Sequence, residues 1–143
     1  MESNHLKTIL VAENDEDDVL LMQEAFASAE ILNPVQIVKN GEEAIEYLSG
    51  AGEFSDRAKY PLPGLVLLDL QMPRKNGFEV LQWMRTQPVF KVLPVVVLTG
   101  LKDTLQIRRA YEMGADLLAK PTDFDHLVKL SRMIKSSWLA TNK

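Results

Sequence analysis

Leu65-Val66-Leu67-Leu68-Asp69 is the stretch that decides the fold. Four consecutive aliphatics with no polar alternation read as a strand buried on both faces, the habit of a parallel sheet covered by helices. The charge arrives where the strand should leave the core. The loop Leu70-Gln71-Met72-Pro73-Arg74-Lys75-Asn76-Gly77 follows, with Pro73 and Gly77 as its turn residues. In open parallel sheets, ligand and reaction sites lie at the carboxyl ends of strands. A carboxylate there can be a nucleophile, a metal ligand or both. Taken alone, Asp69 is equally well read as a helix N-cap or a turn residue.

The chain on either side repeats the pattern. Thr8-Ile9-Leu10-Val11-Ala12 reads as a first strand, and the next segment carries Val19, Met22 and Phe26 at helical spacing. Val35 to Val38 is a second strand. Gly41 to Leu48 is a helix with Ala44, Ile45 and Leu48 inward. Gly50 to Pro63 is a loop longer than most. After strand three, a helix carries Phe78, Leu81 and Met84 and stops before Pro88. Pro94 to Leu98 is strand four. The fourth helix carries Ile107, Ala110 and Tyr111, and Gly114 suits its C-terminal cap. Asp116 to Ala119 is a short fifth strand, followed by a helix with Phe124, Leu127 and Val128. Five strand-helix alternations imply an α/β fold, a doubly wound parallel sheet with helices on both faces.

Bulk properties narrow the function. The chain of 143 residues suits one domain with a real core, and its 46% apolar content excludes disorder. Sixteen basic against twenty acidic residues give a net charge of −4, which argues against a nucleic-acid surface. No cysteine is present, which excludes disulfides and thiolate-zinc sites. No signal peptide or membrane span is visible, and a cytoplasmic location is expected.

Each strand end delivers something. Strand one is followed by Glu13-Asn14-Asp15-Glu16-Asp17-Asp18, strand three ends at Asp69, strand four at Thr99-Gly100, and strand five at Lys120-Pro121. Carboxylate and carbonyl oxygens suit a hard cation such as Mg2+. A hydroxyl and an ammonium suit phosphoryl oxygens. Asp69 between them suits phosphoryl transfer through a mixed anhydride. Each element also has a plainer role: Asp17 and Asp18 favour a helix start, Thr99 is a capping hydroxyl, Lys120 is a surface charge. Agreement at four strand ends weighs against the plainer roles taken together.

Val11-Ala12-Glu13-Asn14, Leu68-Asp69-Leu70-Gln71-Met72-Pro73 with Gly77, Val97-Leu98-Thr99 and Lys120-Pro121, in that order, resemble the receiver domains of two-component response regulators. The likeness runs from Thr8 to about Ile134. The long loop and the Trp138-Leu139 tail look like single-domain receivers found with bacterial phytochrome-type kinases. The resemblance implies a flavodoxin-like (βα)5 sheet of order 2-1-3-4-5 and a single receiver domain over residues 1–143, with no output domain. It implies phosphotransfer from a histidine kinase to Asp69, with Thr99 and Lys120 on the phosphoryl oxygens. Signalling then runs through protein contacts in a phosphorelay, without nucleic acid or membrane. Mg2+ would be held by Glu13, Asn14, Asp69 and the backbone carbonyl of Gln71, and Lys120-Pro121 would be cis. Gln71 and Leu101 would guard the approach of water to the phosphate. Output would use helix four, strand five and helix five, through a downstream protein or a homodimer. Trp138 and Leu139 suit packing on the domain or a dimer contact.

Two positions depart from the pattern. Asn14 stands where a second acidic residue is expected; either its amide oxygen coordinates without a charge, or Asp15 substitutes for it as ligand. Leu117 stands where an aromatic ring usually moves on activation. Asn14 keeps open an alternative, a receiver-like interaction module that phosphorylation does not regulate. A haloacid-type phosphatase needs an aspartate at position 71, which is Gln71 here. Flavin binding has only the fold in its favour. His5 and His126 read as isolated surface residues, and Met72 and Met84 as loop and core packing.

Overall fold

Strand β1 (Ile9–Ala12) lies inside the sheet, second from its edge, and is buried at every position. It pairs with β2 (Val35–Val38) on one side and β3 (Leu65–Asp69) on the other. Beyond β3 come β4 (Val95–Thr99) and β5 (Asp116–Ala119), giving a parallel sheet of order β2-β1-β3-β4-β5. The computed structural model describes residues 6–70, 72, 74–100 and 104–139.

Alternation along the central strands builds two cores. Leu10, Ala12, Val66, Leu68, Val95 and Val97 face one side, with Ala44, Tyr47, Val80, Leu81, Met84 and Ala110. Those residues belong to α2 (Gly41–Ser49), α3 (Gly77–Thr86) and α4 (Thr104–Glu112). Ile9, Val11, Leu65, Leu67, Val96 and Leu98 face the other side, with Met22 and Phe26 of α1 (Glu16–Ser28) and Ile134 of α5 (Phe124–Ile134). A strand with an apolar partner on both faces has no position for a polar residue until it leaves the sheet. Each fully buried aliphatic contributes about 1.5–3 kcal/mol, so this double burial fixes the strand register.

Expected elements and observed ones agree to within a residue or two at each end. The inward residues agree less well. Tyr111 is 71% exposed and Phe124 37%. Tyr47, unassigned in the sequence reading, is completely buried. Its hydroxyl donates to the Pro61 carbonyl at 2.8 Å, and its ring packs with Phe54 and Tyr60 at 5.2 and 5.9 Å. Phe54 rides on a 3-10 turn (Gly52–Ser55) inside the long loop. Arg57 donates to the carbonyls of Tyr47, Leu48 and Tyr60. The loop is thus stapled to the end of α2. Met72 and Met84 are buried, as expected. Trp138 and Leu139, in a π-helical turn (Lys135–Leu139), are half-buried against the α1/α5 core, which satisfies packing on the domain. His126 is exposed but not isolated: its ring Nδ1 lies 2.7 Å from the carboxylate of Asp123, the N-cap of α5.

Candidate functional site

The register brings the site together. Ala12 pairs with Leu68, so the next residues, Glu13 and Asp69, come side by side at the carboxyl edge of the sheet, where Asp69 is the last paired residue of β3. Thr99 pairs with Ala119, and Lys120 follows. Glu13 is 4% exposed and Asp69 8%. Burial of two carboxylates side by side requires a compensating cation. Lys120 supplies it: its Nζ donates to Glu13 Oε1 at 2.9 Å and to Asp69 Oδ2 at 3.1 Å. A third carboxylate, Asp18 Oδ2, lies 2.9 Å from the same nitrogen.

The three acids shape the charge states. Burial pushes the Glu13 carboxyl up, against hydrogen bonds from Lys120 and the Asp15 amide that pull it down; the Asp69 charge adds to the rise. Burial pulls the Lys120 ammonium down. Its hydrogen bonds to Glu13 and Asp18 and the charge of Asp69 outweigh that and hold it above its ordinary value. The lysine is therefore a fixed positive charge at neutral pH.

Local structure explains each placement. Asp15 is the N-cap of α1; its Oδ1 accepts from the amides of Asp17 and Asp18 at 2.8 and 3.3 Å. That role occupies the side chain expected as a substitute metal ligand. Asp18, expected only to favour the helix start, instead reaches Lys120. The β3–α3 loop is held at both ends. Asn76 caps α3 in a capping box with Glu79. Arg74 and Lys75 have φ of 51° and 74°, which turns the Arg74 carbonyl onto the Glu42 amide at 3.0 Å. Arg74 also pairs with the Glu42 carboxylate. A side chain at Gly77 would overlap the Asp69 carbonyl oxygen and press on Leu70 Cα at 3.1 Å. Glycine there lets the loop close against the phosphoacceptor candidate.

Other expectations are placed as follows. Asn14 is exposed at the site's rim. Thr99 ends β4 as expected, and its hydroxyl lies outside the described part of the structure. Gln71 and Leu101 lie outside the described residues. Leu117 is half-buried against the core formed with α2, α3 and α4. The expected cis bond is corrected: among the described residues no peptide is cis, so Lys120–Pro121 is trans. Trans is the lower-energy isomer for an X–Pro bond. Sequence reasoning missed Asp18 as a partner of Lys120. The signal was there: of four consecutive acids, Asp15 to Asp18, only one can be the N-cap.

The donor set is oxygen-rich and hard. Two adjacent carboxylates, each with one oxygen on Lys120, are followed in sequence by the exposed Asn14 amide, and oxygens of this kind suit a small divalent cation. Among the described residues no three His, Asp or Glu side chains make a metal site by themselves. Any cation here would depend on neutral oxygens as well. No described helix is long and apolar enough to cross a membrane.

Comparison with known proteins agrees with this geometry. The family described as "Response regulator receiver domain" matches residues 9–132. "Response regulator Rcp1" of Synechocystis sp. is 36% identical over 141 residues, covering 98% of this chain and 94% of that protein. The structure of the phosphorylated cyanobacterial phytochrome response regulator RcpA superposes with a TM-score of 0.87 at 32% identity, over 96% of this chain and 97% of that one. The Mn2+-bound form of Rcp1 superposes with a TM-score of 0.85 at 34% identity, again over 96% and 97%.

Proposed function

Because the chain belongs to the response regulator receiver domain family, we propose that Asp69 is its phosphoacceptor. It is a signalling protein with a phosphoacceptor role in two-component signalling. The observation that carries the assignment to Asp69 is the Lys120 ammonium, 3.1 Å from the Asp69 carboxylate at the carboxyl edge of the sheet.

The chemistry follows from the placement. An Asp69 carboxylate oxygen attacks the phosphorus of a phosphohistidine on a kinase. The phosphorus–nitrogen bond breaks, the imidazole leaves with the electron pair, and a phosphorus–oxygen bond gives the mixed anhydride. Lys120 donates to a phosphoryl oxygen and offsets charge where it develops. Thr99, one strand over, supplies a hydroxyl to another. Mg2+ would be held by Glu13, Asn14, Asp69 and the Gln71 carbonyl, and it would neutralise the phosphoryl oxygens during transfer. That Rcp1 has a Mn2+-bound form supports a divalent ion as the cofactor of this protein as well. Similarity to RcpA, a cyanobacterial phytochrome response regulator, supports a phytochrome-type histidine kinase as donor.

Incubation with acetyl phosphate and Mg2+ should add one phosphate to the native protein by intact mass and none to Asp69→Asn. An undiminished adduct on Asp69→Asn would overturn the assignment.

A further inference from the structure

Lys120 has three ammonium hydrogens and three carboxylate partners: Glu13 at 2.9 Å, Asp18 at 2.9 Å and Asp69 at 3.1 Å. Two of the three belong to the buried site. The third comes from another element, the first turn of α1, and its side chain is 37% exposed at the mouth. Asp18 is held there by the Asp15 cap, whose oxygen takes the Asp18 amide. Nothing in the phosphotransfer chemistry above uses this residue.

We propose that Asp18 is a positioning residue for phosphotransfer to Asp69: as the third ion partner of the Lys120 ammonium it holds the cation toward α1, where an incoming phosphoryl group arrives. This rests on Asp69 being the phosphoacceptor. Without Asp18, the ammonium has only Glu13 and Asp69 to satisfy and settles between them as a closed ion pair. The nucleophile is then neutralised by the cation meant for the phosphoryl oxygens. With Asp18, the ammonium is shared three ways, and the phosphoryl group can replace one carboxylate without stripping the lysine of partners.

The test compares native protein, Asp18→Asn and Asp18→Glu with acetyl phosphate and Mg2+, following intact mass over time. Asp18→Asn keeps the size and removes the charge. Its maximal phosphorylation rate should fall by up to about fivefold, the range of a partly exposed ion pair. The donor concentration at half-maximal rate should stay level or drop, because one negative charge no longer repels an anionic donor. Loss of folding would instead show as a lower unfolding midpoint, and a rate loss without it supports positioning. Asp18→Glu should regain most of the rate; a rate no better than that of Asp18→Asn would overturn the proposal. In a Lys120→Met background, where slow phosphorylation is followed over hours, Asp18→Asn should have no further effect. A further loss of the same size there would show action independent of the lysine and overturn the proposal. Native protein that takes phosphate, with Asp18→Asn matching its maximal rate, overturns this inference alone. Native protein that takes none overturns both it and the phosphoacceptor assignment.

Discussion

Two cations sit at opposite ends of the sheet, and they are satisfied in opposite ways. At the amino ends of β4 and β5, the Arg85 guanidinium donates to backbone carbonyls of Met113, Phe90, Lys91 and Leu93, at 2.7 to 3.3 Å. At the carboxyl ends, the ion partners of Lys120 among the described residues are the carboxylates of Glu13, Asp18 and Asp69. Burial acts on both in the same sense. It leaves Arg85 below its ordinary value, while the carboxylates carry Lys120 above its own. Carbonyl dipoles are part of the chain and cannot leave. Carboxylates sit on side chains, carry charge, and can trade one partner for another. The first arrangement ties loops together; the second is suited to a group that must change partners when phosphate arrives.

The comparison can be broken by exchanging each cation for a neutral chain of similar length. Lys120→Met should slow phosphorylation by about 100-fold or more, the usual effect of removing one donor to a developing charge. It should also destabilise the fold at pH 7, and that loss should be partly recovered by Mg2+, since Glu13 and Asp69 are left facing each other. Arg85→Met should cost about 2–3 kcal/mol in urea unfolding, because several carbonyls lose a charged donor together. Its phosphorylation rate should stay near native, and Mg2+ should restore none of the stability. Equal rate losses in the two variants would erase the distinction.

Backbone placement of Asp69 should lie between these extremes. Gly77→Ala forces a Cβ onto the Asp69 carbonyl oxygen, and backbone cannot swing aside as a side chain can. The expected cost is about 1–3 kcal/mol, as for other overpacked sites, with slower phosphorylation as well. Gly41→Ala meets the Lys75 carbonyl and should lose stability while leaving the Lys120 contacts in place. A Gly77→Ala protein with native stability and rate would show that the loop yields easily.

How far the sequence could be read follows the same division. Strands were legible because a run such as Leu65 to Leu68 has no soluble face, and the strand ends then listed Glu13, Asp69, Thr99 and Lys120 in order. Helix faces were less legible. Tyr111 and Phe124 fit an apolar spacing, yet α4 and α5 flank the sheet edge at β5, where each has less core to cover. Tyr47 was hidden by its hydroxyl, which finds Pro61 in a loop that periodicity does not describe. Asp18 was hidden because its partner is distant in sequence, and a run of acids before a helix has a sufficient local explanation.

The opposed charge environments also predict opposed pH slopes. A base raised above its unfolded value contributes stability that is full below that value and lost as pH climbs through the folded one. Lys120, held above 10.5, should therefore steepen the alkaline fall in melting temperature beyond pH 10.5. Arg85 has the reverse sign, a gain as pH rises toward 12.5, beyond the practical range. Glu13, raised above 4.5, contributes most below that pH and loses its contribution as pH rises through the folded value. Melting scans of native protein and Lys120→Met should diverge below pH 10.5 and converge above it. Parallel curves throughout would mean that the carboxylates do not hold the lysine in solution.

The smallest effect concerns Asp15, whose carboxylate adjoins the site without facing Lys120. If its oxygen serves the helix, then Asp15→Ala should cost about 1 kcal/mol through the lost cap, and Asp15→Asn only a few tenths, because an amide oxygen caps equally well. Mg2+ affinity, measured by calorimetry on the unphosphorylated protein, should be nearly the same in Asp15→Asn as in native protein. The Asp15 oxygen already accepts from the amides of Asp17 and Asp18, and turning it toward a cation would give up that cap and loosen the hold on Asp18. A marked drop in Mg2+ affinity for Asp15→Asn, with stability intact, would instead make Asp15 the substitute for the acid missing at Asn14. The Asp15 carboxylate would then be mobile enough to serve either helix or metal, and the contrast with the fixed carbonyls around Arg85 would be sharper still.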